Sequence, residues 1–415
     1  MQHIILGAGP AGVTAAENIR RLAPDDKIIL VGDEPEPPYG RMAIPYLLAG
    51  NINEQGTHLR KADDHFDTQG IEVIQDRCVG LDPNVDRIRL ASGRELGFDR
   101  LLIATGSSPM KPPIPGTDLP GVSGCWTLAD ARAIADRVGQ NKKAVLIGAG
   151  FIGCIILEAM VASGSELTVV ELGDRMVPRM LNPTAGNMMR QWCENRGVRV
   201  FTETSVTAIE QAGEGLNVQL NNGETLPADV VVMATGVHAN TDFLQGSGVE
   251  VDAGVLVDHH LQTRRDRVYA AGDVAQGMDF STGGWEVQAI QPTAVEHGRI
   301  AAMNMVNETP VKHDGSLNMN VLDTLGLLSA SFGQWQGVDG GASAEQVDGS
   351  DFRYLNLQFD GDRLVGATSI GHSEHIGVLR GLIQGNKALG PWCDRLKQNP
   401  TRLMEAYVGL THGMA

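Results

Sequence analysis

Two stretches of the chain repeat one spacing. Residues 3–22, HIILGAGPAGVTAAENIRRL, set Gly7, Gly9 and Gly12 directly after an apolar run, and residues 144–164, AVLIGAGFIGCIILEAMVASG, do the same with Gly148, Gly150 and Gly153. G-x-G-x-x-G between a strand and a helix suits a bound diphosphate. The first glycine permits a tight turn, the second lets backbone approach the pyrophosphate, and the third lets the helix pack close on the strand. The anion then sits at a helix N-terminus, where free N–H groups and the dipole favour it. Each copy also has an acid at the distance this use requires, about 20 residues on. KIILVGDEP ends with Asp33 and Glu34 after a strand, and ELTVVELGD places Glu171 at a strand end. A carboxylate there accepts hydrogen bonds from ribose hydroxyls and repels a 2′-phosphate, so Glu171 favours NADH over NADPH. Two dinucleotides on one chain pair naturally as a nicotinamide donor and a flavin acceptor.

Three further segments position such ligands. RLLIATGSSP and DVVVMATGVHAN each read as a strand followed by Ala-Thr-Gly, at Ala104-Thr105-Gly106 and Ala234-Thr235-Gly236. RVYAAGDVAQ reads as a strand ending in Gly272-Asp273, an acid able to bind the ribityl hydroxyls of FAD beside a glycine that admits a close ligand.

Composition excludes several alternatives. A chain of 415 residues with 42% hydrophobic and 20% charged residues is an ordinary globular protein of two to four domains. A net charge of −17 argues against nucleic acid and against anionic lipid. Cysteines 78, 125, 154, 193 and 393 form no C-x-x-C and no zinc set, and their scatter fits free thiols in a reducing cytoplasm. The N-terminus enters a strand without the features of a signal peptide. The longest apolar run, Ala144 to Leu157, falls short of the roughly 18 residues of a membrane helix. His372 and His375 have H-x-x-H spacing but no further ligands nearby, so no metal site is expected.

The ordered set GAGPAG, ATG, GAGFIG, ATG and AAGDVA, from Met1 to about Asn307, resembles the flavin-dependent pyridine nucleotide–disulfide oxidoreductase superfamily. The resemblance implies an α/β fold with two Rossmann-like domains, the second inserted in the first. FAD would bind residues 1–111 and 240–310, NAD would bind 112–239, and residues 311–415 would form a small α+β domain for interface or dimer contacts. It assigns Gly7, Gly9, Pro10, Ala11, Gly12, Asp33, Glu34, Arg41, Val79, Ala104, Thr105, Gly106, Gly272, Asp273, Thr293 and Ala294 to FAD. Gly148, Gly150, Phe151, Ile152, Gly153, Glu171, Ala234 and Gly236 fall to NAD. AVEHGRIAAMNM, residues 294–305, resembles the helix whose N-terminus faces the flavin pyrimidine edge in that family.

The segment PPYGRMAIPYLLAG, residues 37–50, resembles the wall over the flavin ring, which makes Arg41, Met42, Pro45 and Tyr46 flavin-adjacent candidates. Where disulfide-using relatives carry a redox cysteine this chain carries Met42, which can form no thiolate. Tyr39 and Arg41 match the rubredoxin-reductase, ferredoxin-reductase and nitrite-reductase subgroup instead, and Arg41 is free to pair with FAD diphosphate or a nearby acid. The chain departs from that subgroup with Tyr46 in place of Lys, Phe151 in place of Tyr and Ile155 in place of Glu; Glu158 lies three residues beyond. The resemblance implies hydride transfer from NADH to flavin N5 and electron delivery to a rubredoxin- or ferredoxin-like carrier, with no essential protein acid, base or nucleophile. A cysteine-independent NADH oxidase and an electron-transfer subunit of a larger complex are the alternatives. A homodimer suits the superfamily.

In the last hundred residues, FRYLNLQFDGDRLVGATSI reads as two strands joined at Asp360-Gly361, and HIGVLRGLIQGNKAL as an amphipathic helix. GVDGGASAEQVDGS, residues 337–350, reads as a flexible polar loop. Trp335 and Trp392 are expected in the core or at a domain interface.

Overall fold

The structure, a computed structural model, describes residues 1–82, 84–372 and 374–412. The chain forms two compact units. One contains Met1–Leu47, Ile52–Pro109 and Val237–Ser316; the other contains Leu48–Asn51, Met110–Gly236 and the chain from Leu317 onward.

The first unit is built on five parallel strands in the order Val268–Ala270, Arg100–Ile103, Gln2–Leu6, Lys27–Gly32 and Ile71–Gln75. Ile4, Ile5, Ile28, Ile29, Leu30, Leu101 and Leu102 are wholly buried. Covered faces on both sides explain why these strands read as unbroken apolar runs. The Pro10–Leu22 and Gln291–Val306 helices pack together very closely: a Cβ on Gly298 would fall 2.3 Å from the Ala11 carbonyl oxygen. An antiparallel pair, Ser107–Pro109 with Val237–Ala239, marks where the chain leaves this unit and returns to it.

The second unit repeats the parallel design, with strands in the order Arg199–Phe201, Glu166–Val170, Lys143–Ile147, Val230–Met233 and Val122–Ser123. It also holds a five-stranded antiparallel sheet near the C-terminus, in the order Met319–Thr324, Leu327–Gly333, Arg363–Ile370, Arg353–Asp360 and Ala342–Asp348. The Pro183–Glu194 helix ties the two sheets. Its N-cap Asn182 donates to the Tyr354 hydroxyl at 2.5 Å, and the Trp192 indole donates to the carbonyls of Thr324 and Leu325 at 3.1 and 3.2 Å.

Residues 337–350 depart from the sequence expectation. Ala342–Asp348 is not a loop but an edge strand, paired with Arg353–Asp360 along its length. Of its seven residues only Ala344 is buried, so no apolar alternation marks it; backbone pairing alone makes it a strand. The hairpin turn also shifts by one residue. Asp360 still pairs with Arg363, which leaves Gly361 and Asp362 as the loop, with Gly361 at φ +58°. The helix expected after it is present as Ile376–Gly385. Trp335 and Trp392 are buried.

Candidate functional site

Both glycine turns are set by the same three contacts. Gly7 sits at φ +110° and donates its N–H to the Val31 carbonyl at 2.7 Å; Gly148 sits at φ +98° and donates to the Val170 carbonyl at 2.8 Å. A side chain on Gly7 would lie 2.0 Å from the Ala104 carbonyl oxygen, and one on Gly148 2.5 Å from that of Ala234. The Ala-Thr-Gly segments therefore follow the strands that flank the turns: Arg100–Ile103 beside Gln2–Leu6, and Val230–Met233 beside Lys143–Ile147. Gly12 and Gly153 are just as restricted, because a Cβ would fall 1.9 and 2.1 Å from the carbonyl oxygens of Gly7 and Gly148.

The middle glycines differ. A Cβ on Gly9 or Gly150 would meet nothing within 4 Å. Each is the N-cap of its helix, Pro10–Leu22 or Phe151–Ala162, and neither helix has a side-chain cap. These turns present open backbone and first-turn N–H groups with no side-chain acceptor, which fits a diphosphate. Phe151 and Ile152, half-buried, open the second helix.

Glu171 is buried and holds the second turn. Its Oε2 accepts the Ala149 N–H at 2.6 Å and its Oε1 the Gly173 N–H at 2.7 Å. In the first unit Asp33 is exposed and faces Arg77 at 3.3 Å. Glu34 accepts from the Tyr39 hydroxyl at 2.5 Å and from Arg41 Nη2 at 2.6 Å, while Arg41 Nη1 donates to the Tyr39 oxygen at 3.0 Å. The acid that pairs directly with Arg41 is thus Glu34.

Asp273 follows Gly272, which sits at φ +76°. A Cβ on Gly272 would be 3.2 Å from the Ala11 methyl and 3.4 Å from that of Ala294, so Ala11, Gly272 and Ala294 converge. Burial raises the Asp273 carboxyl above the usual range, opposed by a 3.0 Å hydrogen bond from Ser107 Oγ and by the nearby Arg41 charge. Sequence reading missed Ser107, although it directly follows Ala104-Thr105-Gly106. Thr293 and Ala294 are buried in the first turn of the Gln291–Val306 helix, whose N-cap Ile290 offers no side-chain acceptor.

Pro45 is half-buried in the short Ile44–Leu48 helix, with Met42 and Tyr46 47% and 58% exposed beside it. Val79 is 40% exposed on the Cys78–Leu81 strand of a small antiparallel sheet. Glu158 points elsewhere: it accepts the Leu325 N–H and lies near Asp323, and burial together with that charge raises its carboxyl pKa. Among the described residues no group of three His, Cys, Asp or Glu side chains could hold a metal ion, His372 and His375 included; Ser373 between them lies outside the described residues. Burial pushes the thiols of Cys78, Cys125 and Cys193 up to about 11, 12 and 12, and that of Cys154 well above its usual value.

Residues 1–298 match the family described as pyridine nucleotide-disulphide oxidoreductase. The chain belongs to this family. It is an oxidoreductase that uses FAD and NADH. Over 96% of its length it is 32% identical to the epsilon subunit of an NADH-dependent phenylglyoxylate dehydrogenase of Aromatoleum evansii, covering 95% of that protein. It is 30% identical to an NADH oxidase of Methanocaldococcus jannaschii, across 74% of this chain and 70% of that one. Among solved structures, the ferredoxin reductase for the CYP199A2 system of Rhodopseudomonas palustris superposes with a TM-score of 0.89 at 26% identity, covering 98% of this chain and 99% of that one. No helix among the described residues is long and apolar enough to cross a membrane.

Proposed function

We propose that this protein carries electrons from NADH through FAD to a redox-active protein, a rubredoxin- or ferredoxin-like carrier. In this reading FAD binds residues 1–111 and 240–310, NADH binds residues 112–239, and residues 311–415 form the interface domain. The observation that carries it is the paired set of open glycine turns at Gly9 and Gly150, each closed on its far side by Ala104 or Ala234. When bound, FAD supplies the two-electron chemistry, accepting hydride at N5.

The chain's own residues bind and orient. Gly9 and Gly150 backbone and the helix starts behind them hold the two diphosphates. Glu34 fixes Arg41 on the FAD side, Asp273 and Ser107 meet the ribityl hydroxyls, and Glu171 meets the NADH ribose. The positive end of the Gln291–Val306 helix, at Thr293 and Ala294, offsets negative charge on the reduced ring. Met42 stands where disulfide-using relatives carry cysteine, which leaves the flavin as the redox centre. Buried, high-pKa cysteines agree with this and with a reducing cytoplasm.

The test is an anaerobic titration of the yellow protein with NADH, following flavin absorbance. Complete bleaching at one equivalent supports a lone two-electron flavin; uptake of a second equivalent overturns it. A second reading, an electron-transfer subunit of a larger complex, is favoured by the near full-length match to a protein named as a subunit. Slow turnover with every free carrier, together with a co-purifying chain, would select it. The homodimer implied by the resemblance is tested by light scattering.

A further inference from the structure

The chain ends in three helices, Ile376–Gly385, Pro391–Gln398 and Leu403–His412, which pack on one another and on the terminal antiparallel sheet. The last helix is inside out for a protein surface. It buries Leu403, Ala406 and Gly409 and turns Met404, Tyr407 and Val408 outward, 42%, 39% and 37% exposed. Spacing of three and four residues puts these side chains on one stripe.

Beside that stripe runs a flat strip of the Ile376–Gly385 helix. Gly377, Gly381 and Gly385 recur every fourth residue on its exposed side, away from buried Leu379, Leu382 and Ile383. A Cβ on Gly381 would make an ordinary 3.5 Å contact with the Tyr407 ring, so strip and stripe are contiguous. A Cβ on Gly377 or Gly385 would meet nothing within 4 Å, and none of the three has a positive φ. Among the described residues nothing requires glycine there, yet glycine in a helix interior costs about 1 kcal/mol relative to alanine.

Charge indicates what covers this face. Residues 376–412 carry five Lys or Arg and two Asp or Glu, while residues 1–375 carry 28 and 48. The terminal helices are a basic cap on an acidic protein. Arg402 pairs with Glu405, and Arg380, Lys387 and Arg395 are exposed. Other large apolar side chains are exposed too, among them Val73, Val85, Trp285, Val321 and Val347, but each comes from a different strand or loop, whereas three on the last helix share one face.

We propose that this face docks the electron-exchange partner, and that the partner is an acidic protein. It would lay a helix along the glycine strip, with apolar side chains against Met404, Tyr407 and Val408 and carboxylates toward Arg380 and Lys387. A second copy of this chain would bring Arg380 and Lys387 against like charges, so an acidic partner suits the face better than a second copy does. The inference rests on the proposed NADH-to-protein electron transfer.

The probe is an acidic [2Fe–2S] ferredoxin with NADH as donor, and dichlorophenolindophenol serves as an acceptor that needs no protein docking. The unaltered chain should reduce the ferredoxin with a KM that rises at least fivefold from about 50 to 300 mM salt. Gly377→Leu with Gly385→Leu should raise that KM about tenfold while dye reduction is unchanged. Leucine is the better helix former, so such a loss is not unfolding. Arg380→Glu with Lys387→Glu should raise KM similarly and flatten its salt dependence. An unaltered ferredoxin KM in both variants overturns the docking face, as does a failure of the unaltered chain to reduce ferredoxin while it still reduces dye. A dimer that separates in the leucine variant also overturns it. Absent dye reduction by the unaltered chain would instead sink the functional reading beneath it.

Discussion

Glu171 Oε2 accepts the backbone N–H of Ala149 at 2.6 Å, so the acid that ends one strand holds the glycine turn that begins the helix before that strand. Its other oxygen is also engaged, by Gly173. One carboxylate therefore shapes the turn on both sides, and the function proposed above also gives it the NADH ribose. Glu171→Ala is expected to raise the KM for NADH about tenfold or more, since charge-assisted hydrogen bonds are worth about 1.5–3 kcal/mol. FAD absorbance should be retained. An unchanged KM would remove Glu171 from the NADH site.

The glycines separate folding from binding. Gly153→Ala places a Cβ 2.1 Å from a carbonyl oxygen and should destabilise the chain by about 2 kcal/mol or more, seen as a lower urea midpoint. Gly150→Ala meets open space, so its midpoint should hold while the KM for NADH climbs. Gly9→Ala should likewise fold normally and lose FAD on gel filtration. Equal stability losses in Gly150→Ala and Gly153→Ala would contradict an open cradle.

Arg41→Ala is expected to release FAD more readily, read as free-flavin fluorescence on dilution, because Glu34 and Tyr39 lose the guanidinium that joins them. Arg41→Lys should rescue it only in part, since lysine cannot make both contacts with a planar fork. Flavin retention equal to the unaltered protein would place Arg41 outside the site.

His297 predicts how stability varies with pH. Its ring is 3% exposed on the Gln291–Val306 helix, lies edge-on to His313 with centroids 4.8 Å apart, and meets Ser316 Oγ at 3.3 Å. Burial, then the neighbouring His313, lowers its pKa from 6.5 to about 3. The unfolded chain thus binds this proton first, and folding stability falls as pH drops from 6.5 toward 3, at about 1.4 kcal/mol per unit. His313 and His3, also lowered by burial, act in the same direction. Urea midpoints at pH 7 and 5 should differ, and His297→Gln should lessen that difference by about 2 kcal/mol. A pH-independent midpoint would rule this out.

Thiols should be dispensable. Iodoacetamide at pH 7, applied to the native protein, is expected to leave NADH-to-dye turnover intact, because burial keeps the Cys78, Cys125, Cys154 and Cys193 thiols protonated. Inactivation that tracks alkylation would point to a sulfur redox step.

The parallel strands and their turns were legible in the sequence because short-range sterics impose them. Only glycine survives 2 Å from the Ala104 carbonyl oxygen, and strands covered on both faces must be apolar throughout. The edge strand Ala342–Asp348 was not legible, because its pairing engages backbone and leaves the side chains nearly unconstrained. In the site, spacing revealed the turns and Glu171. It could not reveal that Ser107 meets Asp273, 166 residues away, or that the Arg41 side chain chooses Glu34. Such pairings depend on how distant strands are laid together.

The close seating of Gly298 against Ala11 also bears on synthesis. The first unit takes its strands and helices from both ends of a long detour, Met110–Gly236. At roughly 5–20 residues per second the ribosome needs on the order of ten seconds to traverse that detour. Throughout that interval the nascent Arg100–Ile103 strand lacks its Val268–Ala270 neighbour, and the Pro10–Leu22 helix lacks its close-packed mate. The half-built sheet offers an open edge and an uncovered apolar flank, the kind of surface that invites aggregation before folding is complete.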